Sequence, residues 1–208
     1  NTGAITVKRN SNPLKRLDYT MWSSPTGTTQ TLSNFSPLTS SGRFYEYDPT
    51  SNLYSVVPPS TTFNQAKGFL IRMPNENSTS GYNSGTTPIV YTGIFTGMPN
   101  NGTIRISGTS GQFIATGNPY PSAINADSFI DSNIGSGGTG TLYFWRKTNN
   151  IYQRTSPSTS YATYTKAGSV VSGSSNDGYT PTVNIAVGQG FITTVPSSGQ
   201  LVFANSMR

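Results

Sequence analysis

Seven carboxylates carry most of the acid–base and hard-metal potential of this sequence: Asp18, Glu46, Asp48, Glu76, Asp127, Asp131 and Asp177. A glycosidase needs two of them at a fixed separation across a sugar-binding cleft. Nothing in their spacing singles out such a pair. Glu46 falls in an expected strand and Asp48 opens an expected turn, so both read as structural or solvent-facing. Histidine and cysteine are absent, which removes Ser-His-Asp chemistry and zinc hydrolysis in their usual forms, and with them thiolate nucleophiles and disulfides. The expectation is a protein that is not an enzyme. Calcium is the more credible use of the acids, because it accepts carbonyls and amides beside Asp in loops of flexible geometry. Asp127 with Asp131, and Asn176 with Asp177, are the candidate ligands; no EF-hand loop is present, and Asp127 is equally placed to cap a short helix. No cofactor is expected beyond such a structural ion.

Aromatic residues make up 12% of the chain, and they offer a second chemistry. A flat ring presents apolar area to the CH face of a sugar while Tyr keeps a polar tip. Tyr45 with Tyr47, and Tyr143 with Trp145, alternate onto one face of their strands. They are the candidate carbohydrate-binding residues; a duplicated hydrophobic core would hold the same pattern. Trp22 and Tyr120, beside prolines, read as core or turn anchors.

The elements that must position these side chains are strands. Only 10% of the residues are charged, and Gly, Pro, Ser, Thr and Asn crowd the gaps between short apolar runs, as in all-β folds. Alternation predicts strands at Ala4 to Lys8, Gly42 to Tyr47, Gly68 to Met73, Ile89 to Phe95, Thr103 to Ile106, Phe113 to Thr116, Thr141 to Trp145, Gly190 to Val195 and Leu201 to Phe203. Asp48-Pro-Thr-Ser-Asn52 should close a hairpin, with Asn52 in a left-handed conformation, and Lys147 to Asn150 should do the same before Ile151. A hairpin turn also accounts for Asn101-Gly102. One short helix is expected within Ser122 to Asp131. Asn75 to Thr87, Asn133 to Gly140 and Ser169 to Pro181 have the composition of loops, where binding usually resides.

The net charge of +6 is scattered apart from Lys8, Arg9, Lys15 and Arg16, which read as a solvated stretch, so no nucleic-acid partner is expected. No apolar run approaches the roughly 20 residues of a membrane helix, so no membrane span is expected. Residue 1 is Asn with no signal-peptide pattern after it, as in a mature protein or an excised piece.

Compared with itself, the chain shows an internal duplication. Gly42-Arg-Phe-Tyr-Glu-Tyr-Asp-Pro-Thr-Ser-Asn-Leu-Tyr54 aligns without a gap to Gly140-Thr-Leu-Tyr-Phe-Trp-Arg-Lys-Thr-Asn-Asn-Ile-Tyr152. Lys67 to Pro74 matches Gln189 to Pro196, with a glycine suggesting close backbone approach. Trp22 to Pro25 is set against Asn118 to Pro121, and Gly102 to Ile106 against Gly199 to Phe203. The expected architecture is two similar, tightly packed antiparallel β-sandwich or jelly-roll-like halves, residues 1–107 and 108–208, with a first strand outside the duplication. One continuous sandwich, to which each half gives a sheet, is the alternative.

Through Ile5-Thr-Val-Lys-Arg9, Leu17 to Pro25, Arg43 to Pro49, Lys67 to Arg72, Gly117 to Ile124, Gly140 to Trp145, Gly188 to Phe191 and Phe203 to Arg208, the sequence resembles regions of large secreted proteins of Bacteroidota, the adhesin-like surface cargo of type IX secretion. That resemblance implies a non-catalytic structural or adhesive module, located outside the cell or on its outer surface. It also implies contact with the secretion machinery through a sorting domain that these residues lack. Three partners follow as expectations. One is an extracellular glycan, if the chain is instead a carbohydrate-binding module of a polysaccharide-degrading protein. Another is a surface. The third is other copies of itself, if the unmatched first strand adds to a neighbour's sheet and builds a filament.

Overall fold

The computed structural model describes residues 3–27, 29–134, 140–146, 160–170 and 180–208. The chain is all-β: short antiparallel strands dominate, and the two α-helices among the described residues are short. Among the described residues the strands fall into two main sheets and three long-range strand pairs. In the first part β1 (Ile5–Leu14) precedes β2 (Tyr19–Trp22), α1 (Leu32–Phe35), β3 (Phe44–Asp48), β4 (Leu53–Val56), β5 (Phe69–Arg72) and β6 (Ile89–Gly97). β2, β5, β3 and β4 form a sheet in that order, and β1 pairs with β6 alone.

In the second part β7 (Ile104–Ser107) is followed by β8 (Phe113–Gly117), β9 (Ile124–Asn125), α2 (Ala126–Ile134), β10 (Leu142–Trp145), β11 (Tyr161–Thr165), β12 (Gly168–Val170), β13 (Asn184–Ile185), β14 (Gly190–Thr194) and β15 (Gln200–Phe203). The sheet order is β8, β14, β10, β11, β12, and β7 pairs with β15. The strand order runs parallel to that of the first part, with β8 in the place of β2, β14 of β5, β10 of β3, β11 of β4, and the pair β7 and β15 in that of β1 and β6, while β12 has no counterpart there. The helices repeat as well. Thr31 bridges Thr62 and caps α1 through its side chain, which accepts from the Asn34 N–H. Asn125 pairs with Asn184 and caps α2 in the same way, accepting from Ser128. The cap of α2 is therefore Asn125, not Asp127.

Pairing register corrects two of the four sequence matches. Tyr45 lies opposite Leu70 and Tyr143 opposite Ile192, as the first two matches require. Trp22 faces Phe69, however, while Thr116 faces Phe191. The counterpart of Trp22-Ser-Ser-Pro25 is thus Thr116-Gly-Asn-Pro119, two residues earlier than expected. The fourth match joined β7 to β15, which are partners within one pair rather than equivalents. The first strand is likewise not an orphan: β1 is paired with β6 and corresponds to β7. β7 pairs with β15 and Ile104 sits in the second core, so this strand packs with the second part.

All the expected strands form. Those that were missed are β2, β9, β11, β12 and β13, while β4 is the second strand of the expected hairpin; α1 was not expected. The β3–β4 hairpin closes with Asn52 at φ +58. Gly102, at φ +79, turns the chain from one strand pair into the other and closes no hairpin. The Lys147 to Asn150 turn, with Ile151 and Tyr152, lies outside the described residues. Tyr82 anchors the Asn75 to Thr87 segment, fully buried with its hydroxyl donating to the Pro74 carbonyl at 2.6 Å.

Three apolar clusters follow from this layering. Trp22, Leu32, Phe35, Phe44, Phe63, Phe69, Ile71 and Phe95 fill the space between the first sheet, α1 and the β1–β6 pair. Phe129, Ile130, Leu142, Phe144, Phe191, Leu201 and Phe203 do the same in the second half. The opposite faces of the two sheets meet in a third cluster built on Met21, Tyr47, Leu70, Ala115 and Ile192. β5 and β14 are accordingly buried at every position. Both architectures raised by the sequence meet here, since each half has its own core and the two sheets also pack on one another.

The seam is fixed by backbone as well as side chains. Trp22 bridges Gln189, and Thr116 bridges Lys67, so each half's edge strand pairs with the residue leading into the other half's central strand. The Ser23 N–H donates to Gly188 O at 3.0 Å and the Gly117 N–H to Ala66 O at 3.0 Å. Such contact leaves no room for side chains: a Cβ on Gly117 would stand 2.4 Å from Ser23 Cβ and 2.7 Å from Gln189 O. Gly117→Ala should cost about 1–3 kcal/mol by overpacking. Gly42→Ala, where nothing lies within 4 Å, should stay within about 0.5 kcal/mol. Denaturant unfolding at constant m-value checks the pair, and equal midpoints would show that the close approach does not constrain the seam.

Candidate functional site

Strand alternation decides where the candidate aromatics go. In β3, Phe44 enters the first core while Tyr45 and Tyr47 face the seam; in β10, Leu142 and Phe144 enter the second core while Tyr143 and Trp145 face it. The four residues are brought to one place, but as a joint between sheets. Tyr47 is buried at 8% exposure and the other three are half-buried.

Their rings meet edge to face rather than in a coplanar row. Tyr47 packs on Tyr54 at 5.5 Å and 73°, and the matching pair of the other half, Trp145 on Tyr161, packs at 5.3 Å and 86°. Tyr54 also meets Trp145 at 6.0 Å. Tyr54 and Tyr161 lie opposite Tyr47 and Trp145 on the adjacent strands, so they are equivalents, and their hydroxyls bond to each other at 2.9 Å. Sequence comparison assigned that equivalence to Tyr152, because more residues separate β10 from β11 than β3 from β4. Burial, and then each ring's neighbour, pushes the Tyr54 phenol well above its ordinary range; burial pushes Tyr161 up to about 12.

The acids are spoken for as well. Asp127 accepts the Tyr164 hydroxyl at 2.8 Å and Asp131 pairs with Lys166. No third His, Cys, Asp or Glu joins them among the described residues. Asn176 and Asp177 lie outside the described residues. Glu46, on the core-side face of β3, pairs with Lys67. Asp48 accepts from the Thr50 N–H and the Ser51 hydroxyl within its turn, and these bonds hold its carboxyl below the usual range.

One cleft opens on the seam, with a volume of about 60 Å³. It lies between the end of β1, β2, β10 and the residues entering β14, and its polar wall is Arg9, Asn12, Tyr19, Trp145, Arg146 and Gln189. Arg9 lies 4.9 Å over the Trp22 ring and donates to Gly188 O at 2.9 Å. With the Asn12 amide turned so that its oxygen faces Arg146, the guanidinium donates to it through two nitrogens, at 2.8 and 2.5 Å. The Trp145 indole N–H is buried and has no acceptor. Of these residues sequence reasoning had singled out Trp145, for its ring rather than its N–H, and Arg9, as part of a solvated basic stretch; Arg9 instead packs over Trp22 and bonds to Gly188.

The family model of a domain of unknown function, DUF8693, matches residues 1–208. The chain belongs to this family. No curated protein and no solved structure matches it. No helix among the described residues of this DUF8693 chain is long and apolar enough to cross a membrane.

The tyrosines of the DUF8693 fold set its alkaline limit. An unfolded tyrosine loses its proton near 10, whereas burial holds Tyr82, Tyr161 and Tyr164 at about 12 and raises Tyr54 well above its ordinary value. The unfolded state therefore releases protons first, and the tyrosines' contribution to stability, fully present below pH 10, should be lost as pH rises from 10 to 12. Phenolate absorbance recorded alongside circular dichroism should show these rings ionising only as the fold is lost. A double-mutant cycle of Tyr54→Phe and Tyr161→Phe should give a coupling of about 0.5–1.5 kcal/mol; no coupling would mean that the hydroxyl pair holds nothing together.

Proposed function

We propose that this chain is a non-catalytic structural module of a secreted bacterial surface protein, one rigid block built by internal duplication. The observation that carries this reading is the seam. The residues with chemical potential, namely the four aromatics and the two helix acids, are engaged in holding the halves and the helix in place. The repeated strand order supports duplication from one ancestral half. Histidine and cysteine are absent, and the resemblance to Bacteroidota surface cargo motivates an extracellular location with an adhesive or spacing role.

A spacer must transmit position, so its halves should not unfold separately. Trp22 sits in the first core and Trp145 on the seam, and the sequence has no other tryptophan. In single-tryptophan variants made with Trp22→Phe or Trp145→Phe, the fluorescence midpoint should coincide with the circular dichroism midpoint of the same variant. Divergent midpoints would mean two independent beads. On intact producing cells, antibody against the chain should bind without permeabilisation; labelling only after permeabilisation would overturn the surface assignment, and time-dependent turnover of a polysaccharide or peptide would overturn the non-catalytic one.

A further inference from the structure

We propose that Asn101 is a deamidation site and that Asn205 holds it closed in the folded chain. Asn101-Gly102 is the one Asn-Gly step in the sequence. It closes no hairpin but lies on the connection from β6 to β7, with Gly102 at φ +79. Glycine after asparagine favours attack on the side chain, because no Cβ shields the next backbone nitrogen or restricts its approach. The Gly102 nitrogen loses its proton and bonds to Asn101 Cγ, the Cγ–Nδ2 bond breaks, and ammonia leaves with that proton. Water then opens the five-membered imide at either carbonyl. The sum is amide plus water giving carboxylate plus ammonium. Opening at the main-chain carbonyl leaves an extra methylene in the backbone, at the point where the chain passes from the first strand pair to the second.

The residues after β15 meet this step directly. The Gly102 N–H, whose proton the attack must remove, donates to Asn205 Oδ1 at 3.1 Å. Asn205 Nδ2 donates to Asn101 Oδ1 at 3.0 Å, and the Arg208 guanidinium donates to the same oxygen at 3.1 Å. One side-chain amide therefore holds both the nucleophile and the electrophile, and an acceptor on an N–H opposes the loss of its proton. That amide is itself anchored. Asn205 opens a single 3₁₀ turn that ends in Met207, buried in the second core. Arg208 lies 5.0 Å over the ring of Tyr120, whose hydroxyl donates to the Gly102 carbonyl at 2.6 Å. On the other side Asn100 is buried and donates to the Ser24 and Thr26 carbonyls. With the backbone fixed on both sides, turning Asn101 Cγ onto the Gly102 nitrogen requires Asn205 to let go. The same partners suit the product of opening at Cγ, since an aspartate at 101 keeps the oxygen they hold and brings a charge to the guanidinium. The inference does not rest on the structural reading of the seam, which takes no part in it.

The test is peptide mapping by mass spectrometry of the full chain aged at mildly alkaline pH, folded in buffer and unfolded in urea. Asn101 should convert about tenfold more slowly in the folded chain, because hydrogen bonds must be given up before the ring closes. Asn205→Ala removes both contacts and should speed conversion in the folded chain about threefold to tenfold, the factor that one hydrogen bond is worth. Asn205→Asp keeps an acceptor for the Gly102 N–H and should convert no faster than the wild type, whereas a connection that had merely loosened would speed both variants alike. Circular dichroism reports whether each variant is folded, and the folded-to-unfolded ratio of the wild type stands without them. Asn101→Asp, made directly, should melt no lower than the wild type. Equal rates in buffer and urea, a folded Asn205→Ala chain converting at the wild-type rate, or Asn205→Asp converting as fast as Asn205→Ala would each overturn the proposal. A lower melting point for Asn101→Asp would overturn the fit of the product to Arg208.

Discussion

The exchange of backbone across the seam is the constraint on which the rest of the structure depends. Each main sheet ends in an edge strand, β2 or β8, and an exposed edge offers unpaired N–H and C=O groups to any other strand. Here each is met by the other half, through Trp22 with Gln189 and Thr116 with Lys67. The approach works only because the chain leading into β5 and β14 turns through a left-handed residue, Ala66 at φ +56 and Gly188 at φ +66. The turn closes in both with an N–H to C=O bond of 3.1 Å, from Lys67 to Asn64 and from Gln189 to Ala186. Ala in this conformation is strained where Gly is not, so the first half holds in place by packing what the second half reaches without cost.

Once the edges are exchanged, the faces of the two sheets are forced together, and the residues on them must suit a joint that reaches the surface. Tyrosine does this better than leucine. Its ring buries apolar area between the sheets while its hydroxyl finds a partner at the rim: Tyr54 on Tyr161, Tyr47 on Asn52, Tyr45 with Arg43. The two interior cores are instead mainly phenylalanine and aliphatic, with Trp22 in the first, Tyr120 and Tyr164 in the second, and Tyr91 packed against the first; the tyrosines reach partners there too, Tyr120 the Gly102 carbonyl, Tyr164 Asp127 and Tyr91 the Phe35 carbonyl. The division between tyrosine on the seam and phenylalanine inside follows from the same demand, that a buried polar atom be paired.

Some of this was legible in residue order and some was not, and locality draws the line. Asn52 in its turn and the glycines Gly68 and Gly190 at close approaches are fixed by neighbours in sequence or by the absence of a side chain. The equivalence of β1 with β7 left no trace beyond shared alternation, because any strand with one covered face alternates. Prolines misled the comparison: Pro25 was set against Pro121 when its counterpart is Pro119, and both stand beside Tyr120. Alternation placed Tyr45, Tyr47, Tyr143 and Trp145 on one face correctly. It is silent on whether that face meets water or another sheet, since both faces of these sheets are covered.

A repeated fold also makes divergence readable, because each position carries its own control. Where the halves agree, as at Phe69 and Phe191 or Tyr54 and Tyr161, the shared environment explains the residue. Where they differ in charge, the difference must be met by the surroundings of one copy alone. Lys67 and Glu46 neutralise each other beside β8. Beside β2 the corresponding positions hold Gln189, Phe144 and Arg146, and the Arg146 guanidinium reaches across to the Asn12 amide oxygen of β1. One corner of the seam is thus tied by an ion pair within a sheet and the other by a guanidinium on an amide between strands, so the two copies meet the same geometry with different chemistry.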